Sequence, residues 1–260
     1  MSDRDLHRSV RPSPIFLAIV GLTMLGGALA YWDGSDWDNA LAYAAVFIFV
    51  IAGWVVSLCL HEFGHAFLAW RFGDRDAAVR GYLDLDPRRY SNPVLSLALP
   101  ILITAIGGIG LPGAAVYVRT SFMTARQRTL VSLAGPAANL LLAVLLLGLT
   151  RLFLDPTHLV LWAAVAFLGI LQITAVLLNL LPIPGLDGYG ALEPHLSPET
   201  QRALEPFKPY GPLLLLFLIF APLVNRWFFG IVSWLYGLFE VPAMLANLGM
   251  QLTQFWRDWF

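Results

Sequence analysis

The sequence predicts an all-α polytopic membrane protein of about six transmembrane helices, with a short re-entrant element, a candidate β-hairpin, in its core. Three observations predict it. Hydrophobic residues make up 58% of the chain and charged residues 13%, with a mean hydropathy of +0.70, which excludes an ordinary soluble globule. Several apolar runs reach the roughly 20 residues that a bilayer-crossing helix requires. The basic residues fall on alternate connections, as they do when cytoplasmic loops retain Lys and Arg.

Pro14–Tyr31 is the first span. It lacks a small-residue cleavage site before Trp32, so it reads as a retained helix rather than a signal peptide. Ala40–Trp70 is the second, Thr129–Leu154 the third and Leu159–Leu181 the fourth. Tyr210–Leu223 and Phe228–Leu248, interrupted by Pro212, Pro222 and Pro242, complete the six. Trp32 and Trp37 bracket an outer loop and Trp70 marks the opposite interface, where amphipathic rings collect. Trp54 and Trp162 read as packing residues. Pro93–Val118 is apolar but carries Gly107, Gly108, Gly110, Pro112 and Gly113, too interrupted for a lipid-facing helix. Its flanks are both basic, so it dips into the membrane and returns, with a strand at Ala114–Arg119. The rival reading is a hairpin of two short helices. Residues 1–260 read as a single integral-membrane domain, closing with accessory helices at about 209–250.

Orientation follows from charge. Arg4, Arg8 and Arg11 precede the first span, and the loop after it carries Asp33, Asp36 and Asp38 but no base. With both termini cytoplasmic, only Arg151 and Arg226 of the 16 basic residues lie outside. A net charge of −1 gives no reason to expect nucleic acid. The single cysteine, Cys59, precludes an intrachain disulfide.

The second span carries His61-Glu62-Phe63-Gly64-His65 near its C-terminal end. Imidazoles four residues apart lie on one helix face, so both reach one metal ion, while Glu62, about 100° round the helix, can hold a water beside that ion. This is the HExxH arrangement of zinc hydrolases. A carboxylate at depth costs about 2.5–3.5 kcal/mol on insertion scales, which a cation on His61 and His65 would offset. The bland alternative has the two imidazoles satisfy each other and nearby carbonyls, with Glu62 protonated or reaching the interface. A hydrolytic zinc site wants a third protein ligand and an open position. Asp187, in Asn179-Leu-Leu-Pro-Ile-Pro-Gly-Leu-Asp-Gly-Tyr-Gly190, is the best candidate: Pro182 and Pro184 end the fourth span, and Gly185 and Gly188 free the backbone around the carboxylate. It lies on the same side as His61, which is about 15 Å of helix from Arg71. An interfacial turn is the competing explanation of that stretch. Cys59, His158, His195 and His7 read as packing, boundary, loop and tail residues.

Taken together these motifs resemble the site-2 protease family of intramembrane zinc metalloproteases. The matches are HExxH on one span, N-x-x-P-x-x-x-x-D-G from Asn179 on a later one, and a weaker Gly135-Pro136-Ala-Ala-Asn139 between them, so the likeness covers about Gly53 to Gly190. The resemblance implies that His61, His65 and Asp187 bind Zn2+, that Glu62 activates the water, and that Asn139 and Asn179 line the cleft and hold substrate backbone. It implies a catalytic core at about 53–190, a membrane-protein substrate with a transmembrane helix, captured beside the membrane-dipping segment, and a role in regulated intramembrane proteolysis. Many relatives carry PDZ or CBS domains; no stretch here has room for either. A compact core with no room for such appended domains suits a prokaryotic plasma membrane. Tyr189 stands where many members have glycine. A non-proteolytic adaptor that keeps the fold, or a transporter lined by the intramembrane polar residues, are the rival readings.

Overall fold

A computed structural model describes residues 10–89 and 118–254. Among them the regular structure is helical, with no strand. Four helices are long and apolar enough to cross a membrane: α1 (Pro14–Asp33), α2 (Ala40–Arg71), α4 (Ala125–Phe153) and α5 (Leu159–Asn179). The expected re-entrant element at 93–118 lies, but for Val118, outside the described residues.

Each long helix has a local reason to start where it does. Ser13 caps α1, its Oγ accepting from Phe16 N at 3.1 Å, with Pro14 in the first turn. Asn39 Oδ1 accepts from Leu41 N at 2.8 Å and Ala42 N at 3.0 Å to open α2. Thr124 and Gln127 close a reciprocal capping box on α4. At 32 residues α2 is about 48 Å long, well beyond a hydrocarbon core of about 30 Å.

α2 is the central helix, with α1, α4 and α5 packed around it. Small residues let the backbones approach, as they must where the hydrophobic effect gives helices no preference for each other over lipid. A Cβ at Gly26 of α1 would stand 2.6 Å from Phe49 N and 2.9 Å from Ala45 O of α2. The inner seam is lined by Ala30, Ala42, Ala45, Val46, Val50 and Trp54, all essentially buried. Trp70 is 2% exposed, packed among Ala66, Ala77 and Leu83 with the Arg75 guanidinium 5.6 Å from its ring. The loop that follows α2, with the short α3 (Asp76–Val79), folds back over the helix end and covers it. Two buried aspartates organise that loop. Asp74 accepts from Asp76 N and Arg119 N, and Asp86 pairs with Arg88 at 2.8 Å, which holds its carboxyl below the usual range.

Beyond α5 the helices shorten. α6 (Asp187–Leu192) and α7 (Pro198–Leu204) are followed by α8 (Gly211–Phe220), α9 (Pro222–Gly237) and α10 (Ala243–Thr253). The expected run Phe228–Leu248 is therefore split: the chain turns at 238–242, where Glu240 adopts φ 54° and Pro242 precedes α10. α10 packs along α5, with Gly249 set against Ala163 and Phe167.

Candidate metal centre

α2 and α4 run antiparallel, and their contact builds the site. On α4, Val131, Gly135 and Asn139 recur every four residues and share one face. They meet His65, Gly64 and His61 of α2 in reverse order. Gly64 and Gly135 form the close point: a Cβ on Gly64 would stand 2.7 Å from Ala134 O, and one on Gly135 would stand 2.6 Å from His61 Nε2 and nearer still to His65 Nε2. Pro136, inside α4, lacks the amide that would have bonded the Ser132 carbonyl. The backbone of this helix is thus already open beside the two imidazoles.

Both histidines have their Nδ1 atoms engaged. His65 Nδ1 lies 2.7 Å from Val131 O and His61 Nδ1 lies 2.5 Å from Asn139 Oδ1. A carbonyl oxygen can only accept, so Nδ1 of His65 donates, and in the neutral ring Nε2 keeps its lone pair. The two Nε2 atoms are 3.1 Å apart. Asp187 faces them with Oδ2 3.2 Å from His61 Nε2 and Oδ1 3.3 Å from His65 Nε2, yet Oδ2 is buried with no hydrogen bond directed at it. Two imidazole nitrogens and a carboxylate converge on one point. Such a cluster calls for a cation, and two imidazoles with a carboxylate are the donor set of a catalytic zinc site with one position left open. Among the described residues these three are the group of His, Cys, Asp and Glu side chains able to hold a metal, their ligand atoms all within 4.8 Å.

The Asp187 loop reaches the site because Pro182 and Pro184 end α5 and Gly185, at φ 97°, reverses the chain. Gly185 and Gly211 lie too close to the carbonyls of Lys208 and Pro184 for either to carry a side chain. Lys208 Nζ then bridges Glu193 and Glu205, each at 2.7 Å. The ligand at the head of α6 is thus braced by chain that follows it.

Glu62 is 3% exposed, on the turn of α2 between the two imidazoles. Asn139 is 2% exposed, and its Nδ2 donates to Gln172 Oε1 at 2.7 Å. Asn179 is 6% exposed and donates to Ala175 O at 3.0 Å, within its own helix. Cys59 is buried outside the cluster, and His195 Nε2 meets Thr129 Oγ1 at 2.9 Å in the connection after α6. Sequence reasoning missed the Val131 carbonyl, the Gly64–Gly135 contact and Gln172. Only Gln172 left a signal, being the lone amide between Ala163 and Leu178, where an amide needs a partner.

Two imidazoles and an aspartate able to hold a metal among apolar helices long enough to cross a membrane fit a membrane metalloprotease, and the chain belongs to the site-2 protease family of intramembrane zinc metalloproteases. It is 66% identical, over the full length of both chains, to the protein named "Putative zinc metalloprotease Rip2" in Mycobacterium tuberculosis H37Rv, and 62% identical over full length to its namesake in Mycolicibacterium smegmatis. It is 31% identical over 179 residues, 65% of this chain and 78% of the other, to "Putative zinc metalloprotease YwhC" of Bacillus subtilis. No protein-family profile matches the chain, and no solved structure matches it.

Proposed function

We propose that this zinc metalloprotease hydrolyses a peptide bond within or near the transmembrane helix of a membrane-protein substrate, with His61, His65 and Asp187 holding Zn2+ and Glu62 as general base. The observation that carries the reading is the convergence of two Nε2 atoms and one carboxylate within hydrogen-bond distance, with both Nδ1 atoms engaged on the far side. Bound zinc supplies a Lewis acid and lowers the pKa of water towards about 7. The chain supplies the rest. Glu62 takes a proton from the attacking water onto its carboxylate and returns it to the leaving amine nitrogen, so the water oxygen joins the scissile carbon as the C–N bond breaks. Burial of His61, Glu62 and His65 restricts water at the reacting atoms, which strengthens each electrostatic contact.

The substrate's carbonyls are tied up in its helix, so it must unwind locally before attack. We assign its capture to a cleft lined by Asn139 and Asn179; the segment at 93–118, expected to receive it by strand addition, lies, but for Val118, outside the described residues. The same reading has one integral-membrane domain of six crossings and cytoplasmic termini in a prokaryotic plasma membrane. In support, Arg151 at the end of α4 pairs with Glu240 at 2.9 Å, so residue 240 lies beside that end of α4. The chain from Gly211 to Glu240 then makes a kinked fifth crossing, and α10 begins the sixth.

The Glu62→Gln variant tests the mechanism. Zinc content should be unchanged, while cleavage of a co-expressed single-span substrate should fall by about 10²–10⁴-fold, the range for loss of a general base. Unaltered cleavage would overturn the role of Glu62.

A further inference from the structure

We infer that Gln172 is a positioning residue for the metal centre, acting through Asn139 to decide which ring nitrogen of His61 carries the proton. The inference rests on the assignment of His61 as a ligand. A primary amide has an accepting end and a donating end, so a chain of two amides has a direction. Here His61 Nδ1 donates to Asn139 Oδ1 at 2.5 Å, and Asn139 Nδ2 donates to Gln172 Oε1 at 2.7 Å. Were both amides reversed, Asn139 would donate to Nδ1, and the neutral ring would carry its proton on Nε2. That atom faces His65 and Asp187, so the reversed pair would leave it no lone pair for a cation. The oxygen of Gln172 is what holds Asn139 the right way round.

Two features separate this role from that of an amide merely joining helices. Gln172 is fully buried in α5, where Thr174 is its nearest polar neighbour in sequence, and its oxygen is taken by Asn139 Nδ2. Its Nε2 has no hydrogen-bond partner. The pair forgoes a bond to that N–H, and in return each amide presents its oxygen as the acceptor along the line to His61 Nδ1. Outer partners of this kind typically alter metal affinity by about 10–100-fold when removed.

The test is a double-mutant cycle read by zinc affinity on the full-length protein in detergent. Affinity would be measured by competition with a chromophoric chelator, and the visible spectrum of the Co2+-loaded protein recorded alongside. Gln172→Met keeps the length of the side chain and removes its strong acceptor. Zinc affinity should fall about 10–100-fold, with a changed Co2+ spectrum and an unfolding midpoint of the metal-free protein close to that of the parent. In an Asn139→Asp background the carboxylate can only accept from His61, whatever Gln172 does. There the same Gln172→Met change should alter affinity less than about threefold, since the acceptor at position 172 no longer sets the direction. Equal losses in both backgrounds, or no loss in either, would overturn the inference; Gln172→Leu takes the place of the methionine variant if the latter does not fold. His61→Ala reports separately on the underlying assignment: zinc affinity unchanged in that variant would remove the ligand itself, and the relay with it.

Discussion

At the scale of single residues, the site is unequally legible in the sequence. His61, Glu62 and His65 are readable because the helix period alone fixes their relation, and Asp187 because prolines and glycines announce the end of a span beside it. The partners that make these groups competent are not readable in this way. Val131 acts through a backbone carbonyl, which every residue possesses. Gly135 matters only because α4 crosses α2 at that point, a tertiary fact without local signature. Its role can be tested directly. Gly135→Ala adds a methyl that would meet both Nε2 atoms, although alanine is about 1 kcal/mol the better helix former. Zinc affinity should fall by at least about tenfold, on the scale of a disturbed outer contact. Gly148→Ala, on the same helix with nothing within 4 Å of the added carbon, should leave zinc titration unchanged.

At the scale of elements, the four long spans follow from composition and length, and their ends from Ser13, Asn39 and the Thr124–Gln127 box. The last helices were harder to bound because apolar character runs on through a turn. Glu240 at positive φ and Pro242 break a stretch whose hydropathy never drops enough to announce it. The burial of Trp70 has no local signature either: it comes from the loop containing α3, which folds back over the end of α2. The α1–α2 seam offers an element-level prediction. Gly26→Leu would force side-chain atoms into the backbone of α2 near Phe49 and Ala45, and overpacking of this kind costs about 1–3 kcal/mol. Thermal unfolding in detergent should move to lower temperature, with zinc affinity retained because α1 contributes no ligand.

For the whole molecule, the proposed topology turns on the C-terminal third. Charge counting expects the loop at 193–208 in the cytoplasm, and under that reading the Arg151–Glu240 pair, at the far end of α4, puts residue 240 on the opposite face. Single cysteines at Ser197 and Glu240 should therefore react with a membrane-impermeant maleimide from opposite sides of intact spheroplasts, position 240 from outside and 197 only after lysis. The native Cys59, buried in α2, should stay silent in both. The interlock of Gly185 with Lys208, and of Gly211 with Pro184, has a consequence for where the working unit stops. Every recognisable signature lies upstream of residue 191, yet the aspartate is braced by chain from twenty residues later. Trimming the protein to its signatures would keep the whole vocabulary of the enzyme and discard the buttress that holds one of its words in position.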